Sequence, residues 1–208
     1  MLEGGSGTPA LAMCEDGVRR VVKLSGAGGG PVALLTELLA LRVAARFAAP
    51  VPLCCPVVLP PGLPWTAGTD EFDDVLRRSA GFALGIEWAE GARAMSAEEA
   101  LALAPEVRRA IAGADARLVN VDRTRANPNI LRCPDGAPLG SDYDACLFVS
   151  RAVRGRPRGP GLSPRHIFAG TAAMPPPPLD WSVMLADAPK AWIAATGLGR
   201  GALASALA

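Results

Sequence analysis

Apolar and polar positions along this chain repeat on two different periods, and the switches between them mark its elements. Leu11 to Cys14 reads as a short strand, Glu15-Asp16-Gly17 as a tight turn, and Val18 to Leu24 as a second strand weighted by Val21, Val22 and Leu24. A run of small residues, Ser25 to Gly30, separates it from a longer period. Pro31 suits a first helical turn, so the spacing predicts a helix from there to about Phe47, where Pro50 and Pro52 stop it. Leu53 to Leu59 is a further strand, Asp70 to Arg78 a short helix, and Gly81 to Trp88 another strand. Ser96 followed by Glu98 and Glu99 has the chemistry of a helix start, with Ala97 to Ala112 as the body. Pro105 must kink or break it. Past Leu118 the texture changes to short strands around turns. Residues 151–161 and 174–178 read as Arg/Gly/Pro-rich loops, and Trp181 to Leu198 as a helix. The expected class is α+β, with a β-rich unit over residues 1–90 and a helical unit over 91–208.

Composition narrows the partners. Half of the 208 residues are hydrophobic but only 5% are aromatic. A chain of this length buries roughly 70% of its unfolded surface, so it needs no disulfide or metal staple. Lys and Arg number 21 against 20 Asp and Glu. Without a basic excess, neither direct nucleic-acid binding nor a membrane surface is expected. The apolar stretch from Pro31 to Val58 is interrupted by Glu37, Arg42, Arg46 and prolines, too often to span a bilayer. The opening MLEGGSG lacks the basic and apolar regions of a secretory signal, so a soluble cytoplasmic protein is expected. The five cysteines form no C-x-x-C pair and read as free thiols.

Four places carry candidate chemistry. Asp122 and Asn127 stand in a D-x-x-x-x-N spacing, which supplies a carboxylate for a nucleophile's proton and a neutral oxygen for a metal. Pro134-Asp135-Gly136 turns a hairpin whose second arm delivers Asp142-Tyr143-Asp144. Two carboxylates at that spacing face one side of an extended segment and call for a cation between them. Lys23 lies on an apolar strand and Glu37 beside the apolar face of the following helix, where each wants the other. Gly4-Gly5-Ser6-Gly7-Thr8 offers backbone amides to phosphates, although no Walker A lysine follows.

Glycine loop, strand lysine, helix glutamate, D-x-x-x-x-N, hairpin and aspartate follow one another in the order of a kinase. In particular, Asp16-Gly17, Val22-Lys23, Glu37 and Val51-Pro52 resemble the HipA-like kinase domain of bacteria. So do Asp122-Arg123 through Asn127-Pro128-Asn129-Ile130-Leu131 and the Asp142 segment up to Phe148. The resemblance covers about residues 4–150. It implies a two-lobed protein-kinase-like fold with a β-rich N-lobe and a short helical C-lobe. It also implies an ATP-dependent Ser/Thr phosphotransferase using ATP and Mg2+, acting on a protein hydroxyl or on itself. On that pattern Gly5, Ser6, Gly7, Lys23 and Glu37 bind the nucleotide, Asp122 is the base, and Asn127 and Asp142 hold the metal, with Asp144 as the alternative ligand. Any self-modification is expected at Ser6 or Thr8. Kinship to toxin kinases adds an antitoxin-like partner. A pseudokinase, or a small-molecule phosphotransferase on the same fold, would share these residues. The chain departs from the kinase pattern in having no His-Arg before Asp122, Asp-Tyr-Asp where kinases carry DFG, and Thr124 where a lysine is usual.

Overall fold

The computed structural model describes residues 9–62, 70–156 and 161–208. Strands β1 (Ala10–Met13), β2 (Arg19–Lys23), β3 (Cys54–Leu59) and β4 (Gly81–Glu87) form an antiparallel sheet in the order β1-β2-β4-β3. The register assigns its two faces. Val21 and Lys23 lie opposite Ile86 and Leu84, so these four share one face, and Val22 points to the other. Helix α1 (Gly30–Arg46) packs on the first face against β3 and β4. Helix α2 (Asp70–Arg78) covers the second, setting Phe72 and Leu76 against Ala10, Val22, Leu59 and Ala83.

Helix α1 is the structural centre. Leu35, Leu38 and Leu39 are fully buried along it, each contributing roughly 1.5–3 kcal/mol. Beyond the sheet it packs on α4 (Pro105–Leu118) and α7 (Lys190–Ala194), and its buried residues belong to one core with theirs. The fit against α4 is tight. A Cβ at Gly113 would lie 2.7 Å from the Met174 carbonyl and 2.9 Å from a ring carbon of Phe47.

The helix expected over residues 97–112 is two. Ser96 caps α3 (Ala97–Leu101) through a capping box with Glu99, and Pro105 opens α4, which runs on to Leu118. A second sheet joins β5 (Arg93–Ala94), β6 (Ile130–Arg132) and β7 (Pro138–Gly140). The last two form the expected hairpin, with Asp135 accepting from the Ala137 amide at 2.9 Å. Two further expectations need correction. Helix α5 (Phe148–Val153) occupies the start of the expected 151–161 loop. Trp181 to Leu198 is not one helix but α6 (Trp181–Met184) and α7, because Pro189 disfavours helical backbone at the residue before it. Helix α8 (Arg200–Leu207) ends the chain. No described helix is long and apolar enough to cross a membrane.

Candidate active site

Strand β2 ends on Lys23, whose side chain turns to the α1 face of the sheet. There Glu37, 1% exposed, meets it with Oε1 at 2.8 Å from Nζ. This is the expected ion pair. Two acids from the far half of the chain share the same ammonium, Asp142 Oδ1 at 3.0 Å and Asp144 Oδ2 at 3.8 Å. One cation therefore faces three carboxylates. Burial pushes the Glu37 carboxyl up to about 7 even against the pull of Lys23. Burial alone would lower the Lys23 pKa, but Glu37, Asp142 and Asp144 together outweigh it and hold the ammonium charged well above its ordinary range. Asp144 is raised too, first by burial and then by its acidic neighbours Asp142 and Asp122, against Lys23.

The loop after α4 carries the other candidate residues. Asp122 Oδ2 accepts from Asn127 Nδ2 at 2.8 Å and from Asn129 Nδ2 at 3.0 Å. Both bonds land on Oδ2, which leaves Oδ1 as the oxygen able to take a further proton. Asn127 is committed through its nitrogen, so its carbonyl oxygen remains for a hard cation. The sequence pattern pointed to Asp122 and Asn127 but not to their direct bond, nor to Asn129.

Beneath this loop lies a buried hub that sequence reasoning missed. Asp115, wholly buried in α4, accepts from Arg123 Nε at 2.6 Å and Asn120 Nδ2 at 2.9 Å, and lies 2.9 Å from His166 Nε2. Burial opposes its charge, but Arg123, His166 and Asn120 hold the carboxyl below its usual range. Arg123 also donates to the Pro128 carbonyl at 3.0 Å and to the Asn129 carbonyl, and its guanidinium lies 4.8 Å from the Tyr143 ring centre. Asn120 accepts from the Asp122 amide at 3.1 Å. The hub thus grips both ends of the Asp122 loop. His166, the chain's only histidine, is buried and serves this hub. The signal for Asp115 was present in its spacing, because Ile111, Asp115 and Leu118 recur on the buried face of α4.

Lys23, Glu37, Asp142 and Asp144 thus come together directly, with Asp122 near enough to act on Asp144 and bonded to Asn127. Gly5, Ser6, Gly7 and Thr8 lie outside the described residues. No group of three or more His, Cys, Asp or Glu among the described residues forms a metal centre by itself. An Mg2+ site of the expected kind would not, since Mg2+ takes one or two protein oxygens and completes its shell with phosphate and water. The donor set fits that ion: an unused amide oxygen on Asn127, and carboxylates in excess of the one ammonium they share. On the sheet face that carries Lys23, Leu11 opposite Val21 and Met13 opposite Arg19 remain exposed at 38% and 64%. Comparisons of the chain with protein-family models, with curated proteins and with solved structures find no match.

Proposed function

We propose that this chain is an Mg-ATP-dependent phosphotransferase of the HipA-like kind, with a two-lobed kinase-like fold, that moves the γ-phosphate to a Ser or Thr hydroxyl of a protein or of itself. The observation that carries this reading is the Lys23 ammonium, held at once by Glu37 on α1 and by Asp142 from 119 residues away. Glu37 is buried there, and in protein kinases a lysine–glutamate ion pair and a metal-binding aspartate must both be in place.

Glu37 fixes Lys23 so that the ammonium meets the α- and β-phosphates. Asn127, through its free oxygen, and Asp142, with Asp144 beside it, would hold Mg2+, which neutralises charge on the transferring group. Asp122, oriented by Asn127 and Asn129, accepts the hydroxyl proton on Oδ1. The oxygen–phosphorus bond then forms as the bond from the γ-phosphorus to the bridging oxygen breaks, and ADP leaves with that electron pair.

Purified protein should bind Mg-ATP and transfer label from its γ-phosphate. Asp122→Asn should leave binding nearly intact and cut turnover by about 10²–10⁴-fold, the usual contribution of a positioned base. Asp142→Asn should weaken Mg-ATP binding itself. Wild-type turnover in the Asp122 variant would remove that residue from the chemistry. Binding without turnover in the wild type would make the protein a pseudokinase, and no binding would end the reading.

A further inference from the structure

The overall charge balance hides a local imbalance. From Ala145 to Leu179 the chain carries Arg151, Arg154, Arg156, Arg158 and Arg165, and not one Asp or Glu. This stretch leaves the cleft at Asp144 and comes back to it. Within this stretch, His166 forms an antiparallel bridge with Thr124, inside the Asp122 loop, and the Ile167 amide donates to the Arg123 carbonyl at 3.0 Å. Arg125 follows the bridged Thr124 and Arg165 precedes the bridged His166, so the two lie at the same end of that bridge, Arg125 on a bend and Arg165 on a turn. Both are exposed. Neither forms an ion pair with a described residue; Arg125 has only a longer-range attraction to Glu98. Nothing in the packing requires them, since the bridge is made by backbone and the hub beneath it by Arg123 and His166.

We propose that Arg125 and Arg165 form the acceptor-side recognition element of this site, reading an anionic group, carboxylate or phosphate, next to the hydroxyl of a peptide or protein substrate. The inference rests on the phosphotransferase reading and names its substrate class. Arg125 lies three residues after Asp122, so a negative side chain placed against the pair brings its neighbouring hydroxyl to Asp122. Arginine forks suit both oxyanions, because each presents paired N–H donors to two oxygens.

The test uses the whole protein and three fluorescein-labelled peptides, each with one serine, flanked by glutamates, by phosphoserine or by glutamines. Wild type should bind the glutamate and phosphoserine peptides about tenfold or more tighter than the glutamine peptide, with affinity falling as salt rises. Which of the two binds better identifies the anion. Arg125→Ala with Arg165→Ala should abolish that preference through KM, leaving Mg-ATP affinity and turnover of the glutamine peptide unchanged. Arg125→Glu with Arg165→Glu should reverse it, favouring the glutamine peptide over both anionic ones. Equal wild-type affinity for all three peptides would overturn the proposal. So would loss of Mg-ATP binding in the alanine variant, which would assign the pair to the nucleotide. Anionic-peptide preference without Mg-ATP binding would sink the kinase reading and leave Arg125 and Arg165 as an anion-recognition element.

Discussion

Replacing Asp115 by asparagine keeps the shape of the side chain and removes one charge from the centre of the protein. The Arg123 guanidinium, 0% exposed, would then have only the Pro128 and Asn129 carbonyls and the Tyr143 ring for company. The new amide nitrogen would also set a donor against the donors of Arg123, Asn120 or His166, which now converge on the carboxylate. Breaking one partner from a buried pair costs about 3–5 kcal/mol, because the remaining charge is uncompensated. Asp115→Asn should therefore lower unfolding free energy by about that much in a urea titration at neutral pH. The double variant Asp115→Leu, Arg123→Met removes both charges and should lose clearly less than the two single changes added together. A single-variant loss below about 1 kcal/mol, or strict additivity in the double, would refute the hub as an ionic unit.

Glu37 gives a pH signature of opposite sign to a surface carboxylate. Its folded pKa of about 7 exceeds its ordinary 4.5, so the folded state binds the extra proton between those values and stability should fall as pH rises through that window. The drop from this group is about 3 kcal/mol, and Glu37→Gln should flatten the slope measured by urea unfolding from pH 5 to 8. An unchanged slope would show that Glu37 titrates normally. Gly113→Ala should cost about 1–3 kcal/mol in thermal unfolding, because the new methyl meets the Met174 backbone and the Phe47 ring at once. A neutral result would mean that the α1–α4 crossing is looser than it stands.

The residues that meet at Lys23 were legible in sequence because each broke a local rule. Glu37 is a charge within an apolar helical stripe, and Lys23 ends a strand of valines. The hairpin was legible because Pro134-Asp135-Gly136 has few other backbone options. Long-range pairing left no such mark. Asp115 and His166 are 51 residues apart, and neither sequence neighbourhood announces the other. Arg125 and Arg165 became neighbours only once the Thr124–His166 bridge brought their two segments together. The C-terminal helices were misread for a local reason, an apolar pattern extended through Pro189 when the missing amide argued for a break.

Backbone strain and buried charge converge on the same loops. Among the described residues, four that are not glycine have positive φ, and three lie in or beside the segments that carry the candidate site: Val119 at 55°, Asn129 at 49° and Asp142 at 53°. Each such residue costs on the order of 1–3 kcal/mol and persists only where its surroundings over-determine it. Val119 is β-branched and the least tolerant of the three. It is bracketed by the Leu147 amide on its carbonyl, at 3.2 Å, and by the Asn120 amide on the Asp115 carbonyl, at 3.0 Å. Asn129 has its carbonyl taken by Arg123 and by the Ser141 amide, and Asp142 is held by Lys23. The contacts that hold the strained residues are therefore those that aim Asp122 and Asp142. It follows that loosening the hub should move the cleft without any contact to a ligand, so positioning and stability cannot be varied independently at Asp115 or Arg123. They can be separated at Asn129, whose side chain touches Asp122 while its carbonyl serves the hub.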